Sequence, residues 1–269
     1  MTASTWLNGK ACDNIAINDR GLAYGDGLFT TMLVEKGQCC LFERHLARLQ
    51  NGIKQLAMSQ IDFGQLIEQL TSLANEIEHG VIKVIITRGQ GVRGYSSLGC
   101  DTPSVIVSHS AYPTSYDDYI KHGLNLGVST IALGLNPLTA GIKHLNRLEQ
   151  VLVRQQIDQE QWADAVVLDC QGYVVETNMA NLFWVSDGTV KLPALDFAGV
   201  DGVMRQHILA YLKQQQIPYE IDRFRLGSLV SAEEIFISNS LIKVVPITAI
   251  AEHAYSIGPI TQQLQRNLV

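Results

Sequence analysis

The chain has 269 residues, of which 46% are apolar and 17% charged, and its formal net charge is −6. This composition can fill a core, which excludes an intrinsically disordered chain, and the length predicts two small domains or one large one. An acidic chain without a basic tract argues against nucleic acid as a partner. No apolar stretch approaches membrane-spanning length, so we expect no membrane partner either.

The cysteines predict a reducing compartment. Their number, five, is odd, and no C-x-x-C spacing occurs. The sequence therefore predicts neither a disulfide framework nor a zinc site. Residues 1–6 lack a charged region followed by an apolar run, so we expect no signal peptide. Together with the cysteine pattern, this predicts a cytoplasmic protein that binds no metal.

The first half of the chain predicts strands followed by two helices. An apolar strand is expected at residues 28–34, with a hairpin turn at 35–38 and a return strand at 39–42. Two amphipathic helices follow, whose apolar faces carry Leu46, Leu49, Ile53 and Leu56, and then Leu66, Leu70, Leu73 and Ile77. β-branched runs predict further strands at 81–87 and 104–109.

The second half begins after a polar, turn-rich segment, which predicts a linker at residues 113–120 between domains at 1–112 and 121–269. A strand is expected at 124–133. A helix is expected at 145–157, and the apolar residues assigned to its buried side are Leu145, Leu148, Val151 and Leu152. Shorter elements are a helix at 203–212 and strands at 165–168, 173–176, 182–185, 235–238 and 244–247. The pattern predicts a mixed α and β class.

Lys143 stands just ahead of the predicted helix, in the segment GIKHLNR at residues 141–147. A lysine becomes a nucleophile when burial or a cationic neighbour favours its neutral form, and Arg147 lies one helical turn further on. The alternative is a solvated lysine at a helix start, which the residue type alone favours.

Two further charged residues suit a cofactor with a ring nitrogen and a phosphate. Glu176 ends a β-branched strand, where a carboxylate can keep a pyridine nitrogen protonated. Arg48 borders the apolar stripe of the first helix, where a guanidinium can bind a phosphate with two hydrogen bonds. The alternatives are an edge-strand glutamate and an arginine that covers apolar surface with its stem.

Val203 and Met204 follow Gly202 at a predicted helix start, where free backbone N–H groups form an anion site. Asp201 is equally compatible with a simple N-cap. The segment Ser238-Asn239-Ser240, at the end of a late strand, offers hydroxyl and backbone donors.

Residues 88–96 form a glycine-rich segment after a strand and are expected to be a mobile loop. Arg88 and Arg93 give it two cations suited to carboxylates. A surface hairpin tip is the alternative and is the commoner use of such a loop.

In this order, these segments resemble the fold-type-IV, branched-chain-aminotransferase-like family of pyridoxal-phosphate (PLP) enzymes. The resemblance covers essentially the whole chain, and each motif alone is weak while the ordered set is specific. The matching segments are NG at 8–9, YGDGLFTT at 24–31, HLARL at 45–49, TRG at 87–89, RGYS at 93–96, the runs 141–150 and 176–184, GVMR at 202–205 and PI at 246–247.

The resemblance implies a two-domain α+β fold, with an N-terminal α/β sandwich and a C-terminal, barrel-like, PLP-binding domain with helices. It places the cofactor in the cleft between the domains, and it implies a homodimer in which loops of one subunit close the site of the other. By position, Lys143 binds the cofactor covalently and acts as general base, Glu176 faces the pyridine nitrogen, and Arg48 contacts the phosphate.

The resemblance also assigns the backbone of Val203 and Met204 and the hydroxyl of Ser240 to the phosphate. The segment at 238–240 reads SNS, where many relatives carry Gly-Thr, and this departure makes Ser240 the least regular of these ligands.

Within the family, the segments at 93–96 and 143–150 resemble those of members that eliminate pyruvate. This implies a lyase that converts 4-amino-4-deoxychorismate to 4-aminobenzoate and pyruvate in folate biosynthesis. The alternatives are a PLP-dependent aminotransferase acting on D-amino or branched-chain amino acids, and a non-catalytic binding protein with the same fold.

The implied substrate carries two carboxylates. Arg88, Arg93 and Arg147 are the candidate residues to bind them. Thr30 and Thr31 are expected to face the site and to bond the lysine or the substrate.

Overall fold

The computed structural model describes residues 4–268. The chain forms two compact units. The first comprises Met1–Pro113 with Lys143–Asn146, and the second comprises Thr114–Ile142 with Arg147–Val269. Residues 1–3, part of the segment predicted not to be a signal peptide, lie outside the described residues, as does Val269. Within residues 4–268, no helix is both long and apolar enough to cross a membrane.

The first unit is an antiparallel sheet with three helices. Its strands are β1 (Ser4–Leu7), β2 (Lys10–Ala11), β3 (Gly27–Glu35), β4 (Gln38–Cys39), β5 (His79–Thr87) and β6 (Ser104–Ala111). Its helices are α1 (Arg20–Tyr24), α2 (Phe42–Gln55) and α3 (Phe63–Asn75). The strands lie in the order β2-β1-β6-β5-β3-β4, and every pair is antiparallel.

Strand β3 shows how the sequence positions this sheet. Alternate residues Leu28, Met32 and Val34 are buried in one cluster with the apolar faces of α2 and α3. Because side chains alternate along a strand, Phe29 and Thr31 project from the opposite face. The predicted strands at 28–34, 81–87 and 104–109 and the two predicted helices are confirmed.

The return strand predicted at 39–42 is wrong beyond Cys39. Leu41 adopts a left-handed conformation with φ of 54°, which turns the chain out of the sheet. Its carbonyl then accepts hydrogen bonds from the N–H groups of Arg44 and His45, so α2 begins at Phe42. An apolar run of this kind does not reveal a left-handed leucine.

The second unit contains a mixed sheet of nine strands. Its strands are β7 (Leu124–Val128), β8 (Asp164–Leu168), β9 (Val174–Thr177), β10 (Asn181–Ser186), β11 (Thr189–Pro193), β12 (Tyr219–Asp222), β13 (Glu234–Asn239), β14 (Lys243–Ile250) and β15 (His253–Ala254). Its helices are α4 (Ser115–His122), α5 (Leu148–Gln159), α6 (Val203–Gln214), α7 (Gly227–Val230) and α8 (Pro259–Leu268).

The order of this sheet is β12-β11-β10-β13-β14-β7-β8-β9, with β15 paired to β14. The pairs β11–β12, β14–β7 and β7–β8 are parallel, and the other pairs are antiparallel. The core of the unit lies on strands β10, β13 and β14, around the fully buried Trp184. The short strands and the helix predicted after residue 165 are confirmed.

The buried side predicted for α5 is wrong. The helix begins at Leu148 and buries Val153 and Ile157, whereas Leu148, Val151 and Leu152 are exposed. Both sets have helical spacing, so the sequence pattern alone could not decide which one meets the sheet.

Two further segments differ from expectation. The region expected to be a linker, residues 113–120, contains most of α4, whose half-buried Tyr116, Tyr119 and Ile120 pack against the core of the second unit. The strand predicted at 124–133 ends at Val128.

Helix α8 begins on a buried carboxylate. Glu234, only 2% exposed, accepts hydrogen bonds from the N–H groups of Ile260 and Thr261 and from the Thr261 hydroxyl, at 3.1, 2.8 and 2.6 Å. The carboxylate thereby satisfies backbone donors that a helix start leaves without partners.

We expect Glu234→Gln to lower the free energy of unfolding by about 1–3 kcal/mol, because an amide nitrogen cannot accept a hydrogen bond and a buried donor is left unsatisfied. The neighbouring Glu233 is exposed, and its side chain accepts a hydrogen bond from the N–H of Asp187 at 2.7 Å. Glu233→Gln is therefore the matched control, with a change within about 0.5 kcal/mol. Urea denaturation of both variants measures this, and equal effects would contradict the role of Glu234.

Candidate active site

Lys143 is held by backbone bonds to β3 in the first unit. The N–H of Phe29 donates to the carbonyl of Lys143 at 2.9 Å, and the N–H of Leu145 donates to the carbonyl of Gly27 at 3.0 Å. These bonds make an antiparallel bridge between Leu28 and His144. The lysine is half-buried, and its Nζ lies 4.7 Å from the centroid of the Phe29 ring. Both its backbone and its ammonium group are thus fixed against the same strand.

Lys83 is a further candidate, which the sequence did not indicate. Its Nζ lies 5.1 Å from the centroid of the same Phe29 ring, within the range of a cation–π contact. Strand pairing sets Lys83 directly opposite Thr31. The available signal was one lysine in the otherwise apolar strand VIKVIIT, where it alternates to the face away from the core.

The two candidate threonines lie on opposite faces of β3. Thr31 shares the face of Phe29. Thr30 is fully buried beneath α2, where its Oγ1 lies 2.6 Å from Nδ1 of His45 in a hydrogen bond. Alternation along the strand therefore puts Thr31, and not Thr30, on the face where Lys143 lies.

Arg48 stands on α2 one turn beyond His45 and is half-buried. Burial, together with the charge of Arg48, lowers the pKa of His45 to about 3, so this histidine is neutral at pH 7. Arg48 therefore carries a positive charge on this helix, whereas His45 does not.

The structure gives Arg88 and Arg93 different surroundings. All three guanidinium nitrogens of Arg88 are engaged, at 2.7 Å with Asp26 and at 2.9 and 2.8 Å with the carbonyls of Ala57 and Leu56. Arg93, in contrast, is exposed in the loop. Of the two, Arg93 is the one whose side chain lies at the surface.

In the second unit, Glu176 is only 6% exposed and is held by backbone. The N–H of Val200 donates to its Oε2 at 3.0 Å. The strand segment at Val200 is bridged to Gly141, because the N–H of Gly141 donates to the carbonyl of Gly199 and the N–H of Asp201 donates to that of Gly141, both at 3.0 Å. Gly141 precedes Lys143 by two residues, so the chain that leads to the lysine runs beside the residue that holds Glu176.

Arg147 lies in the electrostatic field of Glu176. Burial lowers the pKa of its guanidinium, while the carboxylates of Glu176 and Glu149 raise it. Its Nη2 donates to the carbonyl of Ile142 at 2.9 Å. The carbonyl of the residue before Lys143 is thus bonded to a cation that faces Glu176.

The start of α6 has the form of an anion site. Its N-cap is Gly202, which makes no side-chain capping bond, and Val203 and Met204 follow. A Cβ atom at Gly202 would collide with the side-chain oxygen of Asn181. The alternative of Asp201 as the N-cap does not hold, because its carboxylate binds Arg205 and Gln206 at 2.7 and 2.9 Å.

Ser238 belongs to the segment 238–240 that was expected to offer hydroxyl donors, although Ser240 was the residue assigned to the phosphate. Ser238 is fully buried on β13, and its hydroxyl has no hydrogen-bond partner among residues 4–268. It pairs directly with Asn181, whose side chain reaches both Gly202 and the carbonyl of Val200. Paired residues project from the same face, so the Ser238 hydroxyl lies on the side of the α6 start. Ser240 is half-buried after the strand ends.

Comparison with known proteins identifies the family. Residues 27–250 match the model of the amino-transferase class IV family. Aminodeoxychorismate lyase from Vibrio harveyi is 39% identical over 98% of both chains, and a putative branched-chain-amino-acid aminotransferase from Methanocaldococcus jannaschii is 27% identical over 97% of this chain and 93% of its own.

Solved structures agree. The crystal structure of 4-amino-4-deoxychorismate lyase from Pseudomonas aeruginosa matches with a TM-score of 0.93 and 39% identity, over 98% of this chain and 97% of that one. The branched-chain amino acid aminotransferase of Escherichia coli, at 20% identity over 98% of this chain and 93% of its own, shares the fold with a TM-score of 0.86. The resemblance inferred from the ordered motifs is thus confirmed, and the chain belongs to the amino-transferase class IV family.

Proposed function

We propose that this chain is a PLP-dependent aminodeoxychorismate lyase, which converts 4-amino-4-deoxychorismate to 4-aminobenzoate and pyruvate in folate biosynthesis. The observation that carries the proposal is the bridge between Gly141 and Val200, because it joins the chain that leads to Lys143 to the amide that holds Glu176. The 39% identity to a lyase over nearly the whole chain, against 27% to aminotransferases, favours elimination over amino transfer.

The donors at the start of α6 fit the phosphate of PLP. The first N–H groups of a helix have no partner within the helix, and the helix dipole favours an anion there. The buried hydroxyl of Ser238, which has no partner among the described residues, is a further donor on the same side. We assign the phosphate to the N–H groups of Val203 and Met204 and to Ser238, with Ser240 and Arg48 as further ligands.

As the family resemblance implies, we assign Lys143 to the aldehyde of PLP and Glu176 to its ring nitrogen. A lysine amine would bond the aldehyde, and the carboxylate that the Val200 N–H holds at 3.0 Å would keep the ring nitrogen protonated. When bound, PLP supplies an electron sink that stabilises negative charge on the carbon next to the substrate nitrogen. Arg147 is close enough to Glu176 for the two charges to attract each other.

Lys143 is the base and the acid of the proposed reaction. Its amine takes the proton from the substrate carbon that carries the amino group. The adjacent carbon–oxygen bond to the enolpyruvyl group then breaks, and the ring becomes aromatic. Lys143 returns the proton to the departing group, which leaves as pyruvate, so that one residue serves both proton transfers.

The substrate carboxylates need cations. Lys83 and Lys143 contact the same ring, so Lys83 is suited to bind a carboxylate of a substrate held by Lys143. Arg93, exposed in its loop, and Arg147 are the further candidates, while the guanidinium of Arg88 is already engaged by Asp26 and two carbonyls. Thr31 shares the face of Phe29 and is suited to bond the lysine or the substrate.

The purified chain, supplied with PLP and 4-amino-4-deoxychorismate, should release equal amounts of pyruvate and 4-aminobenzoate. Lys143→Ala should abolish this release, because no other group is assigned to move the proton, and should leave the circular dichroism spectrum unchanged. Lys213→Ala, which removes an exposed lysine of α6, is the control and should retain full activity. Coupled detection of pyruvate and chromatography of the aromatic product measure both.

Two results would overturn the assignment. Amino transfer that requires a keto acid and releases no pyruvate would make the chain an aminotransferase. A colourless protein that takes up no PLP, or one in which borohydride reduction labels a lysine other than Lys143, would show that the fold serves another purpose or that the site is assigned wrongly.

Glu176→Gln tests the role of the carboxylate at the ring nitrogen. The glutamine can still accept the Val200 N–H but carries no charge, so kcat should fall by about 100-fold, or about 2.7 kcal/mol of transition-state stabilisation. Glu149→Gln removes the other carboxylate that acts on Arg147 and should change kcat little. Steady-state kinetics with saturating PLP compares them, and a wild-type rate for Glu176→Gln would disprove the role.

We also propose a cytoplasmic homodimer. The exposed side chains of Leu148, Val151 and Leu152 form an apolar stripe on α5, a kind of surface that an oligomer interface covers. All five cysteines are free, as suits a reducing compartment.

A charge in this stripe should break the dimer. We expect Leu152→Asp to shift the molar mass measured by light scattering from that of two chains towards that of one, because a carboxylate would be desolvated in the interface. Gln214→Asp, at an exposed position of α6, is the control and should leave the mass unchanged. A wild-type chain that is monomeric at micromolar concentration would refute the dimer.

A further inference from the structure

We propose that Arg20 is a positioning residue, which holds the loop at residues 91–96 in the shape in which Arg93 binds a substrate carboxylate. The inference rests on the proposed function, because it assumes that Arg93 meets an anionic substrate. Arg20 was not among the candidate residues of the sequence, and all the contacts that support its role lie within the first unit.

The guanidinium of Arg20 donates hydrogen bonds to three successive carbonyls of the loop. Its Nη1 donates to the carbonyls of Gly94 and Ser96 at 3.1 and 3.0 Å, and its Nη2 donates to that of Tyr95 at 3.0 Å. Its Nε donates to the Asp26 carboxylate at 2.8 Å. Arg20 itself is only 4% exposed, so each of its three nitrogens is committed inside the protein.

Tyr24, whose ring packs against the Arg20 guanidinium, also contacts the loop. Tyr24 lies one turn along α1, and the centre of the guanidinium stands 4.8 Å from the centroid of its ring. The Tyr24 hydroxyl accepts a hydrogen bond from the N–H of Gly94 at 3.2 Å, and its ring lies 5.5 Å from that of Tyr95. Helix α1 therefore binds the loop through both a cation and an aromatic ring.

A second anchor holds the loop on the other side of Arg93. The N–H of Gly91 donates to the carbonyl of Asn18 at 3.1 Å, and the Asn18 side chain donates back to the carbonyl of Gly91 at 3.4 Å. A Cβ atom at Gly91 would lie 2.9 Å from the Cγ of Arg20, so the loop backbone rests on the stem of this arginine. Arg93 is thus bracketed by fixed points at Gly91 and Gly94, and Arg20 contributes to both.

An arginine suits this task for a physical reason. Three carbonyl dipoles that converge on one point repel each other unless a cation lies between them, and the planar guanidinium offers donors in fixed, divergent directions. A lysine ammonium would keep the charge but could not reach the same oxygens together with Asp26. Without Arg20, the loop would have to be ordered when the substrate binds, and the cost of that ordering would weaken binding.

The experiment compares wild type, Arg20→Met, Arg20→Lys and Arg223→Met. Arg223 in the second unit also binds a buried carboxylate, that of Asp169, and stacks on aromatic rings, so its variant is a control for general destabilisation. We expect Arg20→Met to raise KM for 4-amino-4-deoxychorismate about tenfold while kcat changes less than threefold, since ground-state and transition-state binding are lost alike. Arg20→Lys should fall between, and Arg223→Met should keep the wild-type KM.

Hydrogen exchange supplies a readout that does not depend on turnover. In Arg20→Met, exchange should become faster in the peptide that covers residues 89–98 and should stay unchanged in peptides of the second unit. If Arg20→Met does not fold, Tyr24→Phe, which removes only the hydroxyl that binds Gly94, should show the same changes to a smaller degree.

The outcomes separate the two proposals. Failure of the wild-type chain to release pyruvate would sink the lyase assignment, whatever the exchange data. Wild-type exchange at residues 89–98 in a folded Arg20→Met variant would overturn the positioning role, as would faster exchange there with an unchanged KM. An equal rise in KM and an equal loss of exchange protection throughout the chain in Arg20→Met and Arg223→Met would show that Arg20 has only a structural effect.

Discussion

The hydrogen bond from the Val200 N–H to the carboxylate of Glu176 is the contact on which the candidate site depends. A carboxylate this buried is stable as an anion only if donors or cations satisfy it. A backbone amide fixes it more firmly than a side chain would, and the two bonds that bridge residues 199–201 to Gly141 fix that amide in turn. One backbone pairing therefore sets both the position of the anion and the path of the chain two residues before the lysine.

The charges around this pairing are arranged to match the chemistry at each place. Arg147, bonded to the carbonyl of Ile142, provides the positive charge that faces Glu176. On the first unit, the ammonium groups of Lys143 and Lys83 contact one Phe29 ring. The negative face of an aromatic ring partly compensates two like charges. An acidic side chain would neutralise one of them, whereas the ring leaves both charged. Two cationic side chains can thus lie against the same ring.

The sequence could predict the elements that repetition of apolar residues defines, such as β3, β5 and α2, and the candidates Lys143 and Glu176 that family motifs mark. It could not predict which of two apolar faces of α5 is buried, because both have helical spacing. It could not separate Thr30 from Thr31 until the strand face was known. Lys83 was not predicted, and Ser240 was preferred to Ser238, because the importance of Lys83 and Ser238 comes from strand partners distant in the chain.

The contacts of Asp26 show why composition alone could not predict the partners of Arg20 and Arg88. Burial alone would raise the pKa of this carboxyl, but hydrogen bonds from Arg88 and Arg20 outweigh it and lower the pKa. Asp26 binds both guanidinium groups but cannot satisfy all their donors. The remaining donors of Arg88 bind the carbonyls of Leu56 and Ala57, and those of Arg20 bind the carbonyls of the loop. Glycines at positive φ, such as Gly94, let the carbonyls converge. A segment whose glycines predict mobility is consequently held by a charge that lies about seventy residues earlier in the sequence.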